Sequence, residues 1–350
     1  MHATATPDGS TLELEPLHDY LLRELGPADT RMPTLEQFSG GQSNPTYRLI
    51  WGSDTYVLRK KPAGSLLPSA HAVEREFRVM RALRGSAVPV PEVLALCEDP
   101  QVLGTPFYLM AYVPGRVFWD PSLPGMTAAE REAIYAQVLE VIAALHRIDP
   151  ATLGLANFGK PGNYFARQFD RWTRQYRAAQ TENIPHMERL IEALPARLPA
   201  TGETRLVHAD YRLDNLIFHP TQPRIVALID WELSTLGDPL ADLATHCLAW
   251  HLPKRYWGMA DVDLTGTGVP SESGYRARYC ERTGRASIDD WPAVLAFALF
   301  RKAAINQGVV RRALQGNASS AKALDITRVC HIAAAALALL QPTSDKQDAT

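Results

Sequence analysis

Residues 205–231 form the one strand-rich island in a chain otherwise patterned for helix beyond residue 115. There the short apolar runs 217–218 and 226–229 surround the turn His219-Pro220-Thr221-Gln222-Pro223. Helices flank the island. Thr127-Ala128-Ala129-Glu130 has the capping-box form, and Ile134, Val138, Val141, Ile142 and Leu145 follow at helical spacing. Residues 293–314 and 321–340 are also helical in character.

The N-terminal third mixes strand and helix. Pro16 in a first turn, Leu17, Leu21 and Leu25 at i+4, and Gly26 as a stop predict a short helix. Residues 47–51 and 55–59 flank Gly52-Ser53-Asp54 as a β-hairpin. Residues 69–84 predict a helix with Val73, Phe77, Met80 and Leu83 on one face, and 93–97 and 107–112 an antiparallel pair around Glu98-Asp99-Pro100. The expectation is an α+β fold of two lobes: 1–112 strand-rich, 113–342 mainly helical, and 343–350 a flexible tail. A cleft between two such lobes is a common place for a ligand.

Composition narrows the partners. With 46% hydrophobic residues, the 350-residue chain can build a sizeable core. Lys plus Arg total 36 against 38 Asp plus Glu, so the basic excess of a nucleic-acid binder is missing. Cys97, Cys247, Cys280 and Cys330 show no CxxC spacing, which fits a reducing cytoplasm. The first thirty residues do not read as a signal peptide, and the apolar run 332–340 is too short to span a membrane. These features predict a soluble, cytoplasmic protein with neither nucleic acid nor membrane as partner.

Chemistry concentrates in His208-Ala209-Asp210-Tyr211-Arg212-Leu213-Asp214-Asn215, of the form H-x-D-x4-N, and in Asp230 at the end of an apolar strand. Phosphoryl transfer needs a carboxylate beside the attacking hydroxyl and oxygen ligands that hold Mg²⁺ across the triphosphate. An Asp and an Asn five residues apart in one loop can supply the base and one metal ligand, and a strand-end Asp a stronger ligand. Taken singly, Asp210, Asp214 and Asn215 read as turn caps. It is the four elements in order that carry the chemical reading.

The pattern resembles the catalytic and metal-binding loops of the aminoglycoside phosphotransferase and choline-kinase-like family, relatives of the protein kinases. The resemblance implies a protein-kinase-like two-lobe fold, ATP and Mg²⁺ as cofactors, Asp210 as catalytic base, Asn215 and Asp230 as metal ligands, and His208 as the brace of the loop. Asp214 stands where that pattern requires no carboxylate. Arg212 could offset charge on the transferring phosphoryl group or simply pair with a loop carboxylate.

The first lobe offers matching parts. Ser39, Gly40, Gly41, Gln42, Ser43 and Asn44 make a small, polar turn before a strand, where backbone N–H groups can approach phosphates closely. Arg59 aligns with the strand lysine of protein kinases, and Lys61, on the same strand face, is the reserve. Glu76 falls on the apolar face of its helix whereas Glu74 does not, so Glu76 is the partner expected for that cation. Met110, Ala111 and Val113 fit the linker whose backbone reads the adenine edge in this fold. Asp238 and Pro239 are expected to start a helix, with Asp242 bonding near the catalytic loop; His146 and His246 read as core histidines.

Phrases such as Gly40-Gly41-Gln42-Ser43-Asn44-Pro45, Leu58-Arg59-Lys60-Lys61-Pro62 and Asp230-Trp231-Glu232-Leu233-Ser234 resemble the kinase-like domain fused to acyl-CoA dehydrogenases in family members 10 and 11. That likeness implies an acceptor that is a hydroxylated acyl chain, a hydroxy acid or its CoA thioester. Arg167, Arg171, Arg174 and Arg177, beside Phe165, Trp172 and Tyr176, read as a solvated helix face or a surface for CoA. The rival readings are a nucleotide-binding pseudokinase or scaffold, and a kinase for an amino-alcohol, aminoglycoside or sugar.

Overall fold

The computed structural model describes residues 3–5, 11–26, 30–38, 44–62, 72–315 and 325–341. It has two compact units, and they do not follow chain order. The first comprises Met1–Val117, Leu153–Leu155 and Asn215–Ser234; the second holds Phe118–Thr152, Ala156–Asp214 and Thr235–Thr350. The island between residues 205 and 231 is thus shared out. Its hairpin belongs to the first unit, although the sequence pattern places it in the second lobe.

A five-stranded antiparallel sheet organises the first unit, in the order Thr34–Gln37, Thr46–Trp51, Asp54–Lys60, Phe107–Ala111, Val93–Cys97. Alternation buries Tyr47, Leu49 and Trp51 on one face, where Leu17, Tyr20 and Leu21 of the helix Leu14–Leu25 complete the core. The hairpin turns at Gly52, whose φ of 64° suits a two-residue loop between the paired Trp51 and Asp54. The strand Thr34–Gln37 escaped the sequence reading because only Leu35 points inward, which leaves no alternation to read. Asp99, expected in a turn, instead caps the short helix Pro100–Leu103 by accepting from the Gln101 N–H at 2.9 Å. The helix at residues 69–84 is seen as Val73–Leu83; Ser69 to His71 lie outside the described residues.

Helices dominate the second unit: Ala128–Arg147, Tyr164–Ala179, Leu240–His251, Glu272–Thr283, Trp291–Leu314 and Ile326–Leu339. Thr127 and Glu130 form the expected capping box. Trp291–Leu314 is long and apolar enough to cross a membrane, but 78% of its most apolar window is buried inside the protein, as a core helix would be. Tyr135, His246, Trp250 and Tyr275 form an aromatic cluster with His246 and Tyr275 centroids 5.0 Å apart. Burial there drives the His246 imidazole down to about 3, so it is neutral at pH 7. An antiparallel sheet in the first lobe and helices in the second make this an α+β two-lobe fold.

Gly115 shows how closely the first unit is packed. Arg116 and Phe218 exchange backbone hydrogen bonds, each 2.8 Å. A Cβ on Gly115 would sit 2.3 Å from the Phe218 carbonyl oxygen. Backbone cannot swing aside as a side-chain tip can. Gly115→Ala should therefore lower stability by about 1–3 kcal/mol, the usual cost of overpacking. Thermal and denaturant unfolding would show it, and an unchanged midpoint would mean that the hairpin yields.

Candidate active site

In the second unit the loop after the strand Arg205–Val207 is held by its backbone. Ala209 adopts φ 65°, a left-handed conformation that costs a non-glycine residue energy. Three contacts impose it. Asp242, with no exposed surface, accepts the His208 and Ala209 N–H groups on its two carboxylate oxygens, both at 2.6 Å. From the far side, Arg301 donates to the Ala209 carbonyl at 2.5 Å. His208 is fully buried, and its Nδ1 accepts the Asp210 N–H at 3.2 Å, which makes it a brace within the loop.

Asp210 is half-buried at the end of this support. Burial alone would raise its carboxyl, but Arg212, then Lys302, Arg301 and His208, hold it below the usual carboxylate range. Arg212 pairs tightly with Asp214, and its Nε lies 3.8 Å from Asp210. The ion-pair reading of Arg212 is therefore realised, and Asp214 serves as its anchor. His146 closes the network from behind, with Nε2 3.3 Å from Asp242 and Nδ1 2.8 Å from the Tyr279 hydroxyl.

The first unit holds a second charged cluster, centred on Arg59. Its guanidinium lies 3.1 Å from Glu76 through Nε, and 2.7 Å from Asp230 and 3.3 Å from Glu232 through one terminal nitrogen. The Nε–H is not aimed at Glu76, so that approach is Coulombic, whereas the terminal nitrogen donates to Asp230 and Glu232. Burial opposes the charge on Arg59, yet the carboxylates, Glu76 first, hold it above its usual value. Glu76 is 1% exposed and accepts from Asn44 at 2.8 Å and Tyr108 at 3.1 Å. Burial pushes its carboxyl up to about 7, with Arg59 pulling the other way. Asp230 itself adopts φ 66°, which Asp tolerates better than most residues. The Asn215 carbonyl accepts the Ile229 N–H at 3.0 Å, tying Asn215 to the strand end that precedes Asp230.

A sequence model described as the phosphotransferase enzyme family (APH) matches residues 34–297. The chain belongs to this family. Over 310 residues it is 53% identical to mouse acyl-CoA dehydrogenase family member 10; the match covers 88% of this chain but only 29% of that longer protein. A solved structure from Ralstonia eutropha, assigned as an aminoglycoside phosphotransferase, is 47% identical with a TM-score of 0.84, covering 94% of this chain and 98% of the other. A thermostable mutant of an aminoglycoside phosphotransferase, solved with ADP and hygromycin B, shares the fold at 18% identity, covering 93% of this chain and 99% of that one, with a TM-score of 0.61. The fold is that of a small-molecule kinase.

Against that family background, the expected nucleotide-binding residues are distributed unevenly. Ser39, Gly40, Gly41, Gln42 and Ser43 lie outside the described residues. Asn44 is buried and donates its amide to Glu76. Met110 and Ala111 end the strand Phe107–Ala111, with the Ala111 N–H donated to the Glu92 carbonyl at 2.8 Å, and Val113 follows half-buried. Among the described residues no group of three His, Cys, Asp or Glu forms a metal cage. Mg²⁺ seldom needs one, because it keeps waters and shares phosphate oxygens with one or two protein ligands. Asn215 and Asp230 carry oxygens of the hard type that could hold such an ion. Three carboxylates, Glu76, Asp230 and Glu232, lie within 3.3 Å of the Arg59 guanidinium.

Three supporting residues were not singled out in the sequence. Glu232 and Tyr108 gave no signal, but Arg301 did: a cation inside an apolar helix needs a partner. The arginine stripe of Tyr164–Ala179 is corrected in one respect. Phe165, Trp172 and Tyr176 are buried, and Arg171 and Arg177 lie over the Trp172 and Tyr176 rings, 5.5 and 5.8 Å from their centroids, so these rings offer a ligand no open face. Asp242 gives the sharpest test. Asp242→Ala would leave two buried N–H groups without an acceptor, at about 1–3 kcal/mol each. Unfolding should show a loss of several kcal/mol, and amide exchange at His208 and Ala209 should accelerate selectively; unchanged protection there would refute this view of the loop.

Proposed function

We propose that this chain is an ATP- and Mg²⁺-dependent kinase that phosphorylates the hydroxyl of an acyl acceptor, a hydroxy acid or its CoA thioester. The observation that carries the reading is Arg59, held by Glu76 and Asp230 on the strand where kinases place their phosphate-gripping cation. Support for the acceptor comes from the mouse relative, whose name refers to acyl-CoA chemistry.

Each residue would act in its own way. Asp210, kept ionised by Arg212 and Lys302, orients the acceptor hydroxyl and takes its proton as the oxygen bonds to the γ-phosphorus. The bond from that phosphorus to the oxygen bridging it to the β-phosphate breaks, and ADP leaves with the electron pair. Arg59 presents a planar fork to phosphate oxygens while Glu76 fixes its direction. Asn215 and Asp230 would hold Mg²⁺, which supplies charge neutralisation on the triphosphate. His208 and Asp242 keep the base loop in one conformation, so little reorganisation is required during transfer.

Coupled ADP-release assays across hydroxy acids, their CoA esters and amino-alcohols test the activity. With the acceptor found, Asp210→Asn should retain Mg·ATP affinity but lose turnover by about 10²-fold or more. Asp230→Asn should also weaken the metal-dependent part of nucleotide binding. Near-normal turnover in both variants would remove these assignments.

Arg59 and Lys61 are separable by the same assay. Arg59→Ala should lower kcat/KM for ATP by about 10²-fold, in line with loss of one positioned charge. Lys61→Ala should change it little, since Lys61 follows the strand that carries Arg59. The reverse order of effects would move the phosphate grip to Lys61.

A further inference from the structure

The turn that presents Asp230 has little of its own to fix its shape. Trp231–Leu233 make a single 3₁₀ turn, closed by the Ser234 N–H donating to the Trp231 carbonyl at 3.0 Å. Asp230 leads into it with φ 66°. So short a turn, entered through a left-handed residue, keeps one conformation only when its surroundings restrain it. Two restraints are local. The Ser234 hydroxyl donates to the same Trp231 carbonyl at 2.6 Å, and the Trp231 indole N–H donates to the Leu228 carbonyl at 2.9 Å.

Others come from the helix Val73–Leu83, which packs on this turn. Its Glu76 faces Arg59, and Arg59 holds the carboxylates of Asp230 and Glu232. That hold has a weakness. A metal ion drawing on Asp230 would share its carboxylate with Arg59 and so loosen the grip. A restraint on the backbone is free of this competition. Arg75, next to Glu76 on the helix, supplies one: its guanidinium donates to the Ser234 carbonyl at 3.4 Å. Arg75 is half-buried, and burial, then Arg78, lowers it from its usual value. A cation in that setting needs an acceptor, and the Ser234 carbonyl is one. Arg78, one turn on, reaches elsewhere and donates to the Gly154 carbonyl at 2.9 Å.

We infer that Arg75 is a positioning residue for the metal-dependent nucleotide site: through the Ser234 carbonyl it fixes the turn that aims Asp230. The inference rests on the kinase reading above and deepens it. One helix thereby serves two parts of the site. Glu76 orients the cation for phosphate and Arg75 orients the metal-binding carboxylate, so a shift of the helix would release both together. A carboxylate already set in direction need not reorganise when Mg²⁺ binds.

ADP binding to the full chain, measured by titration calorimetry with and without MgCl2, reads this directly. In wild-type protein Mg²⁺ should strengthen ADP binding. Arg75→Met keeps the stem and removes the guanidinium. It should raise the Mg²⁺ concentration needed for half of that gain about tenfold, the scale usual for a residue supporting a metal ligand, and leave Mg²⁺-free ADP affinity unchanged. Arg75→Lys should recover part of the loss, since an ammonium can still donate to a carbonyl. Ser234→Ala removes a hydroxyl contact from the same turn and should shift the Mg²⁺ dependence in the same direction, a readout that remains if Arg75→Met does not fold. Amide exchange at residues 231–234 should quicken in both variants. Arg78→Met, which releases Gly154 instead, should keep the wild-type Mg²⁺ dependence. A lower melting temperature with Mg²⁺ dependence unmoved, or equal losses of ADP affinity with and without Mg²⁺, would mark a merely structural role. Either result, or an equal shift in Arg78→Met, would overturn the inference and leave the kinase reading intact. ADP affinity indifferent to Mg²⁺ in wild-type protein would overturn both.

Discussion

A carboxylate with no exposed surface persists only where donors surround it, and Asp242 has that setting. Its helix, Leu240–His251, is buried along most of its first two turns, so the charge could not reach water by changing rotamer. The His208 and Ala209 N–H groups supply what water would have supplied. The dependence is mutual. Those N–H groups face inward only because Ala209 takes a left-handed conformation, and that conformation persists because Asp242 and Arg301 grip the peptides on both sides of it. A loop fixed by charge-assisted bonds from two core helices can present Asp210 in one direction without help from a ligand.

The two units handle charge in opposite ways. Around Arg59 the carboxylates outnumber the cation, and burial and neighbouring acids raise Glu76. Around Asp210 the cations prevail, and the carboxyl is lowered. Opposite shifts in two acids follow from the sign of the surplus charge and not from depth alone, since burial raises both. Neighbouring cations keep an aspartate ionised even where burial opposes the charge.

Much of this was legible in the sequence. Period and capping located the helices, and the spacing of His208, Asp210, Asn215 and Asp230 pointed to the phosphotransferase family to which the chain belongs. The choice of Glu76 over Glu74 needed only helical geometry, because a carboxylate on an apolar face must have a partner. Less legible were contacts that depend on distant chain segments. Nothing near Ala209 in sequence announces Arg301, ninety-two residues on. The hairpin Leu216–Phe218 and Ile225–Leu228 packs with the first unit for a similar reason: its partners, Arg116 and Pro89, are remote in sequence. Strands with one inward residue, such as Thr34–Gln37, carry too little alternation to be seen.

Arginine at position 59 is more than a substitute for lysine. An ammonium is a point charge on a flexible stem, and it can favour one acid only by leaving another. The guanidinium of Arg59 serves several acids at once, with Nε facing Glu76 and a terminal nitrogen reaching Asp230 and Glu232. The strand Asp54–Lys60 is thereby tied both to the helix Val73–Leu83 and to the turn after the strand Ile225–Leu228. Three segments far apart in sequence converge on one planar group. A lysine there could keep the charge but not the simultaneous geometry, so the position of Asp230 depends on the shape of residue 59 as well as on its sign.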